Sequence, residues 1–226
     1  SLKEKMMFKD LKIVELASVL AGPLVGTFFS ELGAEVVKIE NASTAGDITR
    51  KWKLPTESRE DISAYYASAN FNKKVLMLNL NDSEDYNLAI KEIKSADIVI
   101  ANYKYGDAKK MALDYATLKK LNPSIIYGEI NGYGSDQKRT AFDVVLQAES
   151  GFMFMNGSAE SGPIKMPVAL IDILAAHQLK EGLLCALIKK LKTNEGSNVT
   201  VSLYDAAVSS LANQATNWLM AKHIPQ

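Results

Sequence analysis

Short runs of Val, Ile and Leu alternate along this chain with longer stretches whose apolar residues recur at helical spacing. Brief β-branched runs read as buried strands, and the periodic segments between them as covering helices. Six such alternations predict an α/β protein with a parallel sheet flanked by helices, because a βαβ crossover brings each strand back in the same direction. The strands fall over 12–16 (KIVEL), 36–40 (VVKIE), 74–80 (KVLMLNL), 97–102 (DIVIAN), 124–130 (SIIYGEI) and 198–203 (NVTVSL). A first helix is expected over 23–32, where Pro23 suits the opening turn and Gly33 the C-terminal cap. The next is read as capped by Ser83, with Glu84 and Asp85 opposing its dipole, and as ending near Ala96. Further helices are expected from Asp114 to just before Pro123, over 143–149, and from Asp172 onward. In that last one Ile173, Leu179, Leu183, Leu187 and Leu191 form a core-facing stripe. A long final helix is expected over 204–222. Two stretches break the pattern: 41–61 is polar and reads as a surface loop, and 150–167 reads as irregular, glycine-bearing chain.

Composition narrows the classes. The 226 residues, 47% of them hydrophobic, can form one sizeable core or at most two. Lys and Arg total 26 and Asp and Glu total 26, so no net field draws the protein to nucleic acid or to an anionic membrane. Cys185 has no second cysteine to pair with and reads as an inert buried thiol, and with His177 and His223 it offers no zinc-ligand spacing. The N-terminus lacks a signal-peptide pattern, and no segment reaches the ~18 uncharged apolar residues of a membrane span. A reducing cytoplasm is the expected compartment. Ser1 and Leu2 fit residues left by processing or tagging, since the chain does not begin with Met.

In parallel sheets, ligands bind outside the carboxyl ends of the strands. Four places there could carry chemistry. In Leu20-Ala21-Gly22-Pro23, small residues and the first N–H groups of a helix admit an anion, although the same residues also make an ordinary strand-to-helix turn. Leu78 to Asn81 and Ala101-Asn102-Tyr103 are strand ends with or without a ligand. Asp172 emerges from an apolar run at a helix start, where it serves as an N-cap or, held ionised by the helix dipole, as a nucleophile. His177 reads as a packing or surface residue. Phe152, Met153, Phe154 and Met155 form an apolar wall suited to core or pocket.

The blocks LKIVELASVLAGP, LGAEVVKIE with GDITR, NFNKKVLMLNL, ADIVIANYKYG, LNPSIIYGEINGYG, FDVVLQAESG and EGSNVTVSLYDA occur in that order. Together they resemble the family III CoA-transferases, whose relatives include the α-methylacyl-CoA racemases. The resemblance implies a Rossmann-like CoA-binding large domain over 1–203, with 204–226 a connecting helix toward a second, smaller domain not present here. It places the catalytic carboxylate at Asp172. It implies contacts to CoA from Leu20, Ala21, Asn41, Leu78, Asn79, Leu80, Asn81, Asn102, Tyr103, Lys110, Thr140, Phe142 and Asp143. Asn41 and Lys110 stand where arginines often meet the coenzyme's phosphates, so Asn41 lacks that charge and Lys110 keeps it without the bidentate fork.

The implied reaction moves CoA from an acyl-CoA thioester to a carboxylic acid through an aspartyl anhydride and an aspartyl-CoA thioester. Coenzyme A and acyl-CoA are then substrates, with no tightly bound cofactor, no metal, no nucleic acid and no membrane, and the family analogy implies a homodimer. A glycine-rich loop covering the site in the family would follow Gln226. The alternative is a non-catalytic or truncated CoA-binding homologue. An acyl-CoA racemase ranks behind both, because Phe142 replaces the proton-transferring histidine of that branch. So does an NAD-dependent oxidoreductase: Glu40 ends the second strand as such enzymes require, but AGPLVG is not G-x-G-x-x-G.

Overall fold

The computed structural model describes residues 6–225, so Ser1 and Leu2 lie outside the described residues. Six parallel strands form one sheet: β1 (Lys12–Glu15), β2 (Glu35–Asn41), β3 (Lys74–Leu78), β4 (Ile98–Ala101), β5 (Ile126–Asn131) and β6 (Ser197–Ser202). Their spatial order is β3-β2-β1-β4-β5-β6. Val14 on β1 pairs with Val37 of β2 on one side and Val99 of β4 on the other, so the most apolar strands occupy the centre. The order reverses between β1 and β4, and in sheets of this kind ligands bind at the carboxyl ends beside such a reversal.

Alternation along each strand sends side chains to two layers. Ile13, Val36, Ile98, Ile100 and Ile126 meet α1 (Ala21–Glu31) and, later in the chain, α8 (Leu170–Thr193) and α9 (Leu203–Ser209). Val14, Leu16, Ile39, Val99 and Tyr127 face the other way, onto α3 (Ser83–Lys94) and α5 (Tyr115–Leu121). The remaining helices are short: α2 (Ala64–Ser68), α4 (Asp107–Lys110), α6 (Asp143–Glu149), α7 (Phe152–Asn156) and α10 (Asn213–Ala221). Gly33 follows α1 with φ +100°, the left-handed conformation that closes a helix C-terminus and that a side chain would strain. Asp114 caps α5 by accepting from Thr117 N.

Several expectations change. The cap of α3 is Asp82, whose Oδ1 accepts from Glu84 N and Asp85 N; Ser83 is already helical. Leu191 is 85% exposed, so the core stripe of α8 stops short of it. Each i+4 step turns about 40° past a full circle, and three steps from Leu179 carry Leu191 about 120° off the core. Cys185 is exposed, because two residues of rotation put it opposite the buried Leu183. The final helix is two helices: after α9 the backbone at Ala212 turns to φ 49°, ψ −119° before α10 begins. Ser209 and Ser210 both direct their hydroxyls back to Ala206 O, which loosens that turn of helix. The stretch 150–167 contains α7.

The polar stretch 41–61 is only partly surface. It forms two 3-10 turns, Ala42–Thr44 and Ile48–Lys51, and buries Asp47 and Thr49. Asp47 enters a cluster of charges beneath α1. Lys38 Nζ lies 3.0 Å from Glu15 Oε1 and 3.2 Å from Asp47 Oδ2, with all three side chains fully enclosed. Lys73 Nζ lies 2.9 Å from Glu15 Oε2 and donates to Pro23 O and Ala69 O. Gly26 makes room for this cluster, since a Cβ there would collide with Glu15 Oε2. At the far end of α8, Lys190 Nζ donates to Asp97 Oδ1 at 2.9 Å, just before β4.

Candidate functional site

The carboxyl ends of β3, β2, β1 and β4 place five of the expected coenzyme contacts in one row. Leu78 closes β3 opposite Asn41, the last residue of β2. Leu20 and Ala21 open α1 after β1, and Asn102 follows β4. With strands about 4.8 Å apart, the row runs about 14 Å, enough for an extended ligand to cross it.

Each residue in the row is held by identifiable bonds. Asn102 grips Ser18 at two points, accepting from Ser18 N at 2.9 Å and donating to Ser18 O at 2.7 Å. Asp47 Oδ2 accepts from Val19 N at 3.1 Å, while Lys38 Nζ donates to Ala17 O at 2.9 Å. The turn they hold includes Val19 at φ 71°, a costly conformation for a β-branched residue that these bonds fix in place. Burial pulls the Lys38 ammonium down, but Glu15 and Asp47 outweigh it and leave its pKa raised. Lys73 is pulled down by burial to about 8, with Glu15 opposing. The Asn41 side chain bonds to Ser43 N and Oγ, so it shapes its own turn. Asn79 accepts from Asn81 N and donates its backbone N–H to Asp85, which fixes the loop of Leu80. Tyr103 is half-buried, and burial raises its hydroxyl pKa.

Four expected contacts stand apart from the row, among them Asp143, the first residue of α6. Lys110 is exposed on α4, with Asp107 Oδ1 at 3.3 Å. Thr140 is exposed before α6, and Phe142, 62% exposed, occupies the N-cap position of that helix.

Asp172 is the third residue of α8, and Ala169 occupies the cap position. It is therefore no cap: Asp143 Oδ2 accepts from Ile171 N at 2.6 Å and Asp172 N at 3.1 Å, capping α8 from another helix. Among the described residues, no group donates a hydrogen bond to the Asp172 carboxylate. Burial, with the charge of Asp143 adding to it, pushes its pKa up to about 7, against the expectation that the dipole alone keeps it ionised.

Beside Asp172, between the parallel helices α1 and α8, runs a groove of about 520 Å³. Leu20, Leu24, Ala169, Ile173 and Tyr65 line it, with His177 and Lys180 farther along. Tyr65 also meets Trp52 edge-on at 5.0 Å between ring centroids. The aromatic and methionine wall of α7 does not line this groove. A second groove of about 570 Å³ lies at the amino ends of β5 and β6, the wrong edge of a parallel sheet for a ligand site. Sequence reasoning missed Tyr65, Trp52, Asp47 and Gln147. The first three lie on or beside the stretch taken for a surface loop, and only GDITR, quoted for the resemblance, marked it.

A parallel sheet in the order 3-2-1-4-5-6, with its polar groups gathered at the strand carboxyl ends beside the point where the order reverses, defines a Rossmann-like α/β protein. The chain belongs to CoA-transferase family III, whose family model matches residues 8–226. It is 35% identical over 228 residues to a succinate–glutarate CoA-transferase of Agrobacterium fabrum, covering 98% of this chain and 57% of that protein. It is 35% identical over 218 residues to the human succinyl-CoA:glutarate CoA-transferase, covering 95% and 49%. The crystal structure of a CAIB/BAIF family protein from Brucella suis matches with TM-score 0.92 and 34% identity, over 98% of this chain and 60% of that one. The chain thus spans about half the length of the curated relatives it matches. No described helix is long and apolar enough to cross a membrane.

Proposed function

We propose that this chain carries the coenzyme-binding part of a CoA-transferase and that Asp172 is its nucleophile. The observation that carries the reading is a half-buried carboxylate at a helix N-terminus, free of hydrogen bonds among the described residues, beside an apolar groove at the carboxyl edge of the sheet. Asp172 attacks the thioester carbonyl, the C–S bond breaks, and CoA thiolate leaves with the electron pair. The thiolate adds to the aspartyl carbonyl of the resulting anhydride and expels the first carboxylate, leaving aspartyl-CoA. An acceptor carboxylate then opens that thioester to a second anhydride. The returning thiolate takes the new acyl group and frees Asp172.

The row from Leu78–Asn81 through Asn41 and Leu20–Ala21 to Asn102–Tyr103 is proposed to hold CoA, with Lys110 and the Thr140–Phe142 loop reaching its outer parts. Acyl-CoA and a carboxylic acid are the proposed substrates, with no tightly bound cofactor. The names of the relatives suggest dicarboxylic acyl groups. A homodimer in the cytoplasm, with a smaller second domain joined after 203, completes the proposal.

Intact-protein mass spectrometry tests it. Wild type and Asp172→Ala are incubated with a panel of acyl-CoA thioesters and trapped with hydroxylamine. An adduct on wild type alone, increasing as pH rises through about 7 because the attacking carboxylate must be ionised, is the expected result. The second reading is a homologue that binds CoA without turnover. CoA-dependent stabilisation with no adduct from any donor would select it.

A further inference from the structure

Gln147 is a fully buried polar side chain with every polar atom engaged. Its Nε2 donates to Asp143 Oδ1 at 2.6 Å and to Val168 O at 3.2 Å, and its Oε1 accepts from Met166 N at 2.9 Å. Asp143 lies one helical turn earlier on α6, so the two side chains share a face. The other oxygen of Asp143 holds the first N–H groups of α8. One amide side chain thus ties the strand running into α8, the cap of α8 and the helix carrying that cap into a single unit. Both oxygens of Asp143 are occupied, and its negative charge faces Asp172, not a cation. With three hydrogen bonds already accepted and a negative charge of its own, a carboxylate so placed is ill-suited to hold the phosphates of an anionic coenzyme.

We infer that Gln147, acting through the carboxylate of Asp143, positions Asp172 for reaction, and that Asp143 is a cap and charged neighbour of Asp172 rather than a coenzyme contact. The inference rests on Asp172 being the reacting carboxylate. The ionisable groups around Asp172 are few. From α6 it faces Asp143, and from α2 Tyr65, whose hydroxyl pKa is raised by burial and by the charges of Asp172, Asp143 and Asp47. At this end of the groove α1 presents only Leu20 and Leu24, while His177 and Lys180 lie one to two turns farther along α8.

The test uses the chain with carbon-13 in its aspartate carboxyls and nitrogen-15 in its amides. Asp143→Asn is nearly isosteric, keeps an acceptor for the α8 amides and removes the charge. It should lower the titration midpoint of the Asp172 carboxyl by about one pH unit. Gln147→Leu should speed hydrogen exchange of the Ile171 and Asp172 amides about tenfold, with the later turns of α8 unchanged. CoA affinity should stay within about twofold in both variants. A midpoint within about 0.2 units of wild type in Asp143→Asn overturns the inference, as does CoA affinity weakened about tenfold, which would make Asp143 a ligand contact. If Gln147→Leu does not fold, Gln147→Met, which keeps the reach and loses the same hydrogen bonds, is read in the same exchange measurement, and exchange of the Ile171 and Asp172 amides as slow as in wild type would overturn the role of Gln147. Absence of any wild-type adduct would sink the proposed function but leaves the titration and exchange readouts intact, so the two failures are distinguishable.

Discussion

Replacing Lys38 by Met removes one ammonium from the enclosed cluster and leaves an aliphatic chain of similar reach. In the native protein that ammonium lies 3.0 Å from Glu15 Oε1, 3.2 Å from Asp47 Oδ2 and 2.9 Å from Ala17 O. Without it, Glu15 keeps Lys73, but among the described residues Asp47 keeps only the N–H groups of Val19 and Thr49 and the Thr49 hydroxyl. Breaking a buried ion pair from one side costs about 3–5 kcal/mol, because the stranded charge remains out of water. For a domain of this size each kcal/mol lowers Tm by about 2–4 °C, so a drop of about 6–20 °C is expected. Urea unfolding should show a lower midpoint with an unchanged slope. Lys12→Met is the control. Its ammonium bonds Glu92 at 2.7 Å with both side chains about one-fifth exposed, and the loss should stay within about 1 kcal/mol. Equal losses for the two variants, or less than about 1 kcal/mol for Lys38→Met, would show that water reaches the cluster and that it does not hold the Val19 turn as argued.

Asp172→Asn should stabilise the protein at pH 8. The native carboxyl binds its proton up to about pH 7, whereas an unfolded one releases it near 4, so wild-type stability falls as pH rises across that window. The gain, about 2–4 kcal/mol at pH 8 and near zero at pH 4, is read from thermal unfolding at the two pH values. A gain that is the same at both would refute the assigned protonation. Gly26→Ala should cost at least about 2 kcal/mol, because its methyl meets Glu15 Oε2 inside the cluster. An unchanged urea midpoint would show that α1 can shift to make room.

Strand positions, the Asp114 cap and the Gly33 stop were legible in the sequence because each is set by residues close together in the chain. The buried cluster was not. Glu15 and Lys73 are 58 positions apart, and Glu15 and Lys38 are 23 apart. Asp47 sits in a stretch whose charges suggested solvent, although its partners are buried charges of opposite sign. The place of Asp172 followed from the order of motifs on either side of it. Its protonation did not, since that depends on its burial and on the charge of Asp143, 29 positions earlier. Cys185 and Leu191 were misplaced because hydrophobic residues on a 24-residue helix need not all follow one stripe.

The span of α8 ties the two edges of the sheet together. At 1.5 Å per residue the stretch from Ile171, held by Asp143 at the carboxyl edge, to Lys190, bonded to Asp97 at the entrance to β4, runs about 28 Å. A strut pinned at both ends cannot slide by a turn without releasing both anchors, so the height of Asp172 above the sheet is gauged from the opposite side of the molecule. A change at Asp97, at the opposite edge of the sheet, would therefore act on the Asp172 carboxylate as slack in a tether rather than as a local defect.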